Sequence, residues 1–211
     1  MFVIYIRQVL LNIFSHAQLS AIKSLHAQHY IHRDIKPSNF MVQFDNASPT
    51  IFLINFGLAQ LFRNPTTYLH TPYTTKHLIV STLPFTSING QQGHAQSCCD
   101  DLESLAYTII YLACSHLPWT TTFISRDHEA VLEEKMVIMA EELCEGLPPP
   151  FFRFVICVRS LGFNNKPDYQ HLHAILLQCS ETETDHPTKA ALSSALPSLS
   201  VSHTPIPSDC V

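Results

Sequence analysis

Apolar residues recur at Leu10, Ile13, Phe14, Ala17, Ala21, Ile22 and Leu25, a three-and-four spacing that predicts a helix from about Val9 to Gln28 with one buried face. The polar stretch His32 to Asn39 ends that period. Two short apolar runs follow, Met41-Val-Gln-Phe44 and Ile51-Phe-Leu-Ile54, and the turn formers Asp45-Asn-Ala-Ser-Pro49 between them predict a β-hairpin. From Asn55 to Pro84 the chain is rich in Thr, Pro and Tyr and shows no clear period; a structureless loop of that length is uncommon unless functional. Ser97 with Asp100 three positions later matches a helix-capping pair, ahead of the apolar run Leu105–Cys114. At ten residues that run is too short to cross a membrane and reads as a buried core helix, broken by Leu117-Pro-Trp119. Asp127 to Glu142 carries six acidic residues against Lys135 and is expected to be one solvated helix with Val131, Met136 and Met139 inward. Pro148-Pro-Pro150 supplies the first-turn proline of a further helix, Gly162 ends it, and Lys166-Pro-Asp-Tyr169 leads into a last helix, Tyr169 to Gln178. Residues 181–211 hold ten Ser or Thr among 31 and few bulky apolars, the composition of a disordered tail. The expected architecture is one mainly α domain with a small β-hairpin over 1–180, followed by that tail.

Composition narrows the function classes. With 46% hydrophobic and 14% charged residues, the 211-residue chain can bury one sizeable core. A formal charge of −5 without clustered Lys and Arg gives no footing for nucleic acid or an anionic membrane. The seven Cys are odd in number and lack Cys-x-x-Cys spacing, so reduced thiols and an intracellular setting, cytoplasmic or nuclear, are expected. The apolar start, Met1 to Phe14, is interrupted by Arg7, is too short for a span and precedes no small-residue cleavage site. Among thirteen His only His171 and His173 are close, with no third ligand at metal spacing.

The chemistry sits in Tyr30-Ile-His-Arg-Asp-Ile-Lys-Pro-Ser-Asn-Phe-Met41. A carboxylate (Asp34), an ammonium (Lys36), a rigid turn residue (Pro37) and an amide (Asn39) lie within six positions. Phosphoryl transfer from ATP uses that set: a base for the incoming hydroxyl, a cation for the moving phosphate and an oxygen ligand for magnesium. Together with Asn55-Phe-Gly-Leu-Ala59, Ser87-Ile-Asn89, Asp100-Asp-Leu-Glu-Ser-Leu105, Leu117-Pro-Trp119 and Lys166-Pro-Asp-Tyr169, in that order, the chain resembles the C-terminal lobe of a protein kinase of the casein kinase I family. The match runs from about Leu11 to Gln178 and implies Mg-ATP as cofactor and a protein substrate or partner. It implies Asp34 as catalytic base, Lys36 on the γ-phosphate, Asn39 and Asn55 at the metal, and Met41 and Ile54 as the apolar floor under adenine. Asp101 corresponds to the buried Asp that ties the central helix to the catalytic loop, with Arg33 nearby.

Three departures from the family pattern stand out. None of the five Gly forms Gly-x-Gly-x-x-Gly, and the strand Lys and its Glu partner are absent, so the N-terminal β lobe that covers ATP is lacking from this sequence. The metal-binding Asp of Asp-Phe-Gly is Asn55, which brings no charge to the ion. The Arg residues expected to read acidic or phosphorylated substrates are replaced by Cys98-Cys99 and Pro84, which cannot form bidentate bonds to phosphate. The expectation is a catalytically deficient kinase-like lobe, a pseudokinase or truncated paralogue that works by protein interaction; an active Ser/Thr kinase whose upper lobe lies outside this gene model is the alternative.

Overall fold

The structure is a computed structural model describing residues 2–44, 49–75, 82–125 and 127–178, without the side chains of 2–10, 12 and 44. The hairpin turn at 45–48 and the tail expected at 181–211 lie outside the described residues. The order is α1 (Phe2–Ala27), β1 (Tyr30–Ile31), β2 (Phe40–Phe44), β3 (Pro49–Leu53), β4 (Gln60–Leu61), α2 (Ile88–Gln91), α3 (Cys98–Cys114), α4 (Thr120–Ile124), α5 (His128–Val137), α6 (Ala140–Leu143), α7 (Pro149–Arg159) and α8 (Tyr169–Leu177).

Helix α3 is the axis of the domain. Its N-terminus is closed as the Ser97/Asp100 spacing predicts: the Ser97 N–H donates to Asp100 Oδ2 at 2.7 Å. Asp100 Oδ1 also accepts from the Ser87 hydroxyl at 2.7 Å, which fastens the short helix α2 to the start of α3. Leu102, Leu105, Ala106, Tyr107, Ile109 and Ile110 are buried. The last turn departs from an all-round buried helix, since Tyr111 and Leu112 are exposed. Helices α1 and α7 pack against α3, and α8 packs in turn on α1 and α7; Leu19, Ile22, Phe151, Phe154, Val158, Leu172 and Leu176 complete the core.

The buried face of α1 is Leu11, Ser15, Gln18, Leu19, Ile22 and His26, a helical stripe rotated from the expected one, with Ile13 turned outward. Ser15 and His26 can share that stripe because their bonds are met inside: Ser15 Oγ donates to the Leu11 carbonyl at 2.6 Å, and His26 bonds Asp101, whereas Gln18 Oε1 is buried without a partner. The helix also starts earlier than Val9, at Phe2.

The hairpin β2–β3 is antiparallel with Phe40 opposite Leu53 and Met41 opposite Phe52. A second two-stranded ribbon pairs Tyr30 with Leu61 and Ile31 with Gln60. It gives the supposedly patternless stretch after Asn55 a strand, preceded by a 3₁₀ turn at Phe56–Leu58.

The acidic segment differs most from its sequence reading. It forms two helices, α5 and α6, not one. Val131 is buried as expected, but Met136 and Met139 are 56% and 64% exposed, and the buried partner of Val131 is Lys135 at 0%. Lys135 lies one helical turn beyond Val131, and its ammonium finds three oxygens inside; Met136 lies on the next face round, and Met139 follows the break at Ile138. Helix α7 begins within the proline run as predicted but ends at Arg159, before Gly162. The Gly162 N–H instead starts the next turn by donating to Asn165 Oδ1. Asp168 caps α8 by accepting from the His171 N–H at 3.0 Å.

Candidate active site

The loop between β1 and β2 is held from below by one carboxylate. Asp101 Oδ2 accepts from the His32 N–H at 2.6 Å and Oδ1 from the Arg33 N–H at 2.8 Å, and His26 Nε2 sits 2.8 Å from Oδ2. His26 in turn bonds the Tyr169 hydroxyl, so α1, the loop, α3 and α8 meet at Asp101. Arg33 is nearby as expected, but through its backbone: φ is +69°, and its guanidinium reaches Gln60 Oε1. Burial lowers the Arg33 pKa, against the opposing pull of Asp101. The His32 ring pairs through Nε2 with the Ile54 carbonyl at 2.9 Å and through Nδ1 with the Asp34 N–H at 3.3 Å, which fixes the loop against the strand end before Asn55.

On its outer side the loop brings Asp34, Lys36, Asn39 and Asn55 together. Lys36 Nζ lies 3.0 Å from Asp34 Oδ2. The Asn39 amide donates to the Asp34 carbonyl at 2.6 Å and to its Oδ2 at 2.9 Å. Thr82, unmarked by any sequence signal within its Thr-rich segment, is the third partner of the Asp34 carboxylate. Its hydroxyl and N–H both donate to Asp34 Oδ1, at 2.9 and 3.2 Å, while Lys36 Nζ donates to the same hydroxyl at 2.6 Å. Burial pushes the Asp34 carboxyl upward, yet the bonds from Lys36, Thr82 and Asn39 and the Lys36 charge outweigh it and leave the pKa below its ordinary value. Asp34 is an ionised carboxylate with both oxygens engaged.

The edge that would face a metal is closed by amides. With its Nδ2 committed to Asp34, Asn39 turns its oxygen toward Asn55, and Asn55 Nδ2 donates to that oxygen at 3.3 Å. Asn55 holds a left-handed backbone, φ +68° and ψ +65°, a conformation Asn tolerates better than most residues. These residues suit Mg²⁺ poorly, because it prefers one or two carboxylates and Asn39 and Asn55 supply none. Among the described residues no group of three His, Cys, Asp or Glu could hold a metal. Met41, expected under adenine, is 53% exposed on the outer face of the hairpin, and Ile54 is half-buried beside the loop. A cavity of about 280 Å³ lies alongside, between α1, the hairpin and α3, lined by Leu11, Phe14, Pro37, Phe40, Val42 and Ile51.

The positions that replace the expected arginines are part of the fold. Cys98 is buried with Ile31 and Phe62. Burial and the charge of Asp101 push its thiol up to about 12; burial beside Asp100 raises that of Cys99 as well. The Pro84 carbonyl accepts from Trp119 Nε1 at 2.9 Å.

Residues 6–178 match the family described as protein kinase domain. Over 174 residues the chain is 36% identical to casein kinase I homolog 3 of Schizosaccharomyces pombe, covering 78% of this chain and 40% of that protein. The chain thus spans about 40% of the length of the curated relative it matches. No described helix is long and apolar enough to cross a membrane. The chain belongs to the protein kinase family, and its likeness within that family is to casein kinase I.

Proposed function

We propose that this chain is a casein-kinase-I-like lobe deficient in phosphoryl transfer, which acts through protein interaction. The observation that carries the reading is the Asn55–Asn39 hydrogen bond, which spends on a neighbouring amide the oxygen that the family resemblance assigns to magnesium. Phosphoryl transfer relies on positioning and on neutralising phosphate charge, and here the metal edge offers no anionic ligand. The substrate side has likewise lost its guanidinium groups to Cys98, Cys99 and Pro84. Met41, Phe52 and Phe56 are exposed near the loop, and apolar surface of this kind serves protein contacts.

The test is a melting experiment with millimolar Mg-ATP. A ligand stabilises only the state that binds it, so the midpoint should not move. A second reading is supported by the intact Asp34, Lys36 and Thr82 cluster: an active Ser/Thr kinase completed by an upper lobe outside this sequence. Phosphate transfer to a protein that stops on Asp34→Asn would establish that reading and remove the first.

A further inference from the structure

Lys135 is fully buried with no carboxylate in contact, an unusual place for a cation. Its Nζ donates to the Leu83 carbonyl at 2.6 Å, the Thr86 carbonyl at 2.8 Å and Gln91 Oε1 at 2.9 Å. The ring centroids of Trp119 and Tyr107 lie 5.3 and 5.5 Å away. Three acceptors match the three hydrogens of an ammonium; a neutral amine has two and must leave one oxygen unmet. All three acceptors belong to the segment that begins at Thr82, the residue whose hydroxyl and N–H grip Asp34. Leu83 is the next residue along. The same segment is tied to Trp119 through Pro84 and to α5 through Gln91 Nε2, which donates to the His128 carbonyl at 2.7 Å.

We propose that Lys135 is a positioning residue that holds Thr82 against Asp34 only while it carries its proton, making the segment 82–91 a proton-sensitive latch. Of the charged groups around Lys135, Glu103 is also buried, and burial raises its pKa. On α3, Glu103 is occupied by the Tyr107 hydroxyl and the Ile88 N–H. From α7, Arg159 touches Lys135 only at its backbone carbonyl. On α5 itself, Glu134 is turned to Thr122 of α4. Burial, partly offset by Glu103, brings the Lys135 pKa down to about 7. The sign is worked out by linkage. An unfolded Lys keeps its proton to about 10.5 and the folded one releases it near 7, so between those values the unfolded chain holds more protons and overall stability climbs with pH. Over the same range the latch loses a donor. Local loosening with global stabilisation is a signature that general alkaline unfolding does not share.

Trp119 is the chain's single tryptophan, and it lies against Lys135, so its fluorescence reports the latch directly. In the whole chain, Trp119 emission between pH 5.5 and 9 should titrate with a midpoint near 7. Amide exchange across 82–91, corrected for its intrinsic pH dependence, should lose several-fold protection over the same range. Lys135→Arg, which cannot shed its proton in this range, should abolish both transitions. Lys135→Met should show low protection of 82–91 at every pH. A flat Trp119 titration in the native chain overturns the proposal. So does a transition that persists in Lys135→Arg, which would place it on another group, Glu103 or a His. If Lys135→Met does not fold, the native chain and Lys135→Arg still decide the matter between them.

Discussion

The inner side of the loop between β1 and β2 rests on Asp101, which accepts two backbone N–H groups and pairs with His26, every bond within 2.8 Å. The outer side ends at Asn55 and Asn39, two uncharged amides sharing one bond of 3.3 Å. Both ends of a kinase-type loop thus survive in shape, but the inner one ends on a carboxylate and the outer one, beyond the Asp34–Lys36 pair, on amides. The difference follows from what each charge is for. A buried carboxylate that satisfies backbone donors belongs to the fold, and losing it leaves those donors stranded. A carboxylate placed for a metal does little for the folded chain, and an amide of nearly the same shape substitutes with a bond of its own.

The largest effect should therefore come from the inner side. Asp101→Ala strips partners from the His32 and Arg33 N–H groups and from His26 together, and breaking a buried charged network costs on the order of 3–5 kcal/mol. In a domain of this size that is a fall of roughly 10 °C in melting midpoint, readable by circular dichroism. A loss as small as that of a surface substitution would mean that the inner side is no better anchored than the outer.

Next in size is Asn55→Asp. It removes the donor to Asn39 and sets two acceptors against each other near Asp34. Without magnesium this should destabilise by about 1–2 kcal/mol. Millimolar Mg²⁺ should recover part of the loss in the variant and leave the native melt unchanged, because only the variant offers the ion a carboxylate at that edge. An equal magnesium response in both proteins would erase the contrast between the two sides of the loop.

Much of the fold and of the loop was legible because it rests on local rules. Ser97 and Asp100 announce a helix start by spacing, the apolar period announces α1 and α3, and Asp34, Lys36 and Asn39 fall within one turn-bound stretch. What could not be read depends on contacts between distant segments. Thr82 is one threonine among many until the fold lays it on Asp34, 48 residues earlier. Lys135 reads as the lone cation of an acidic helix, and helical periodicity alone cannot foresee that three oxygens from 82–91 make its burial tolerable. Methionine was the better inward candidate on hydrophobicity, but hydrophobicity does not register hydrogen-bond satisfaction, which put Lys135 inside and Met136 and Met139 out. The stripe on α1 was misplaced for the same reason: Ser15 and His26 are buried because their bonds are met.

Thr82→Val should have the smallest effect, and it divides the outer side into its parts. The substitution keeps the Thr82 N–H on Asp34 Oδ1 and removes the hydroxyl, one of the bonds that lowers the Asp34 pKa. It also takes an acceptor from Lys36. At neutral pH the loss should be about 1 kcal/mol, because Lys36 keeps its ion pair with Asp34 when the hydroxyl is gone. The pH dependence carries more information. A carboxyl whose folded pKa lies below its unfolded value of 3.8 contributes stability that is fully present above that value and lost as pH falls through the folded pKa. Without the hydroxyl the folded pKa rises toward the unfolded one, so Asp34 has less stability to lose in acid. Melting midpoints between pH 2 and 6 should therefore fall less steeply below 3.8 in Thr82→Val than in the native chain. Identical acid slopes would show that Lys36 and Asn39 hold the carboxylate unaided, and that the bond from Thr82 serves its own segment more than it serves Asp34.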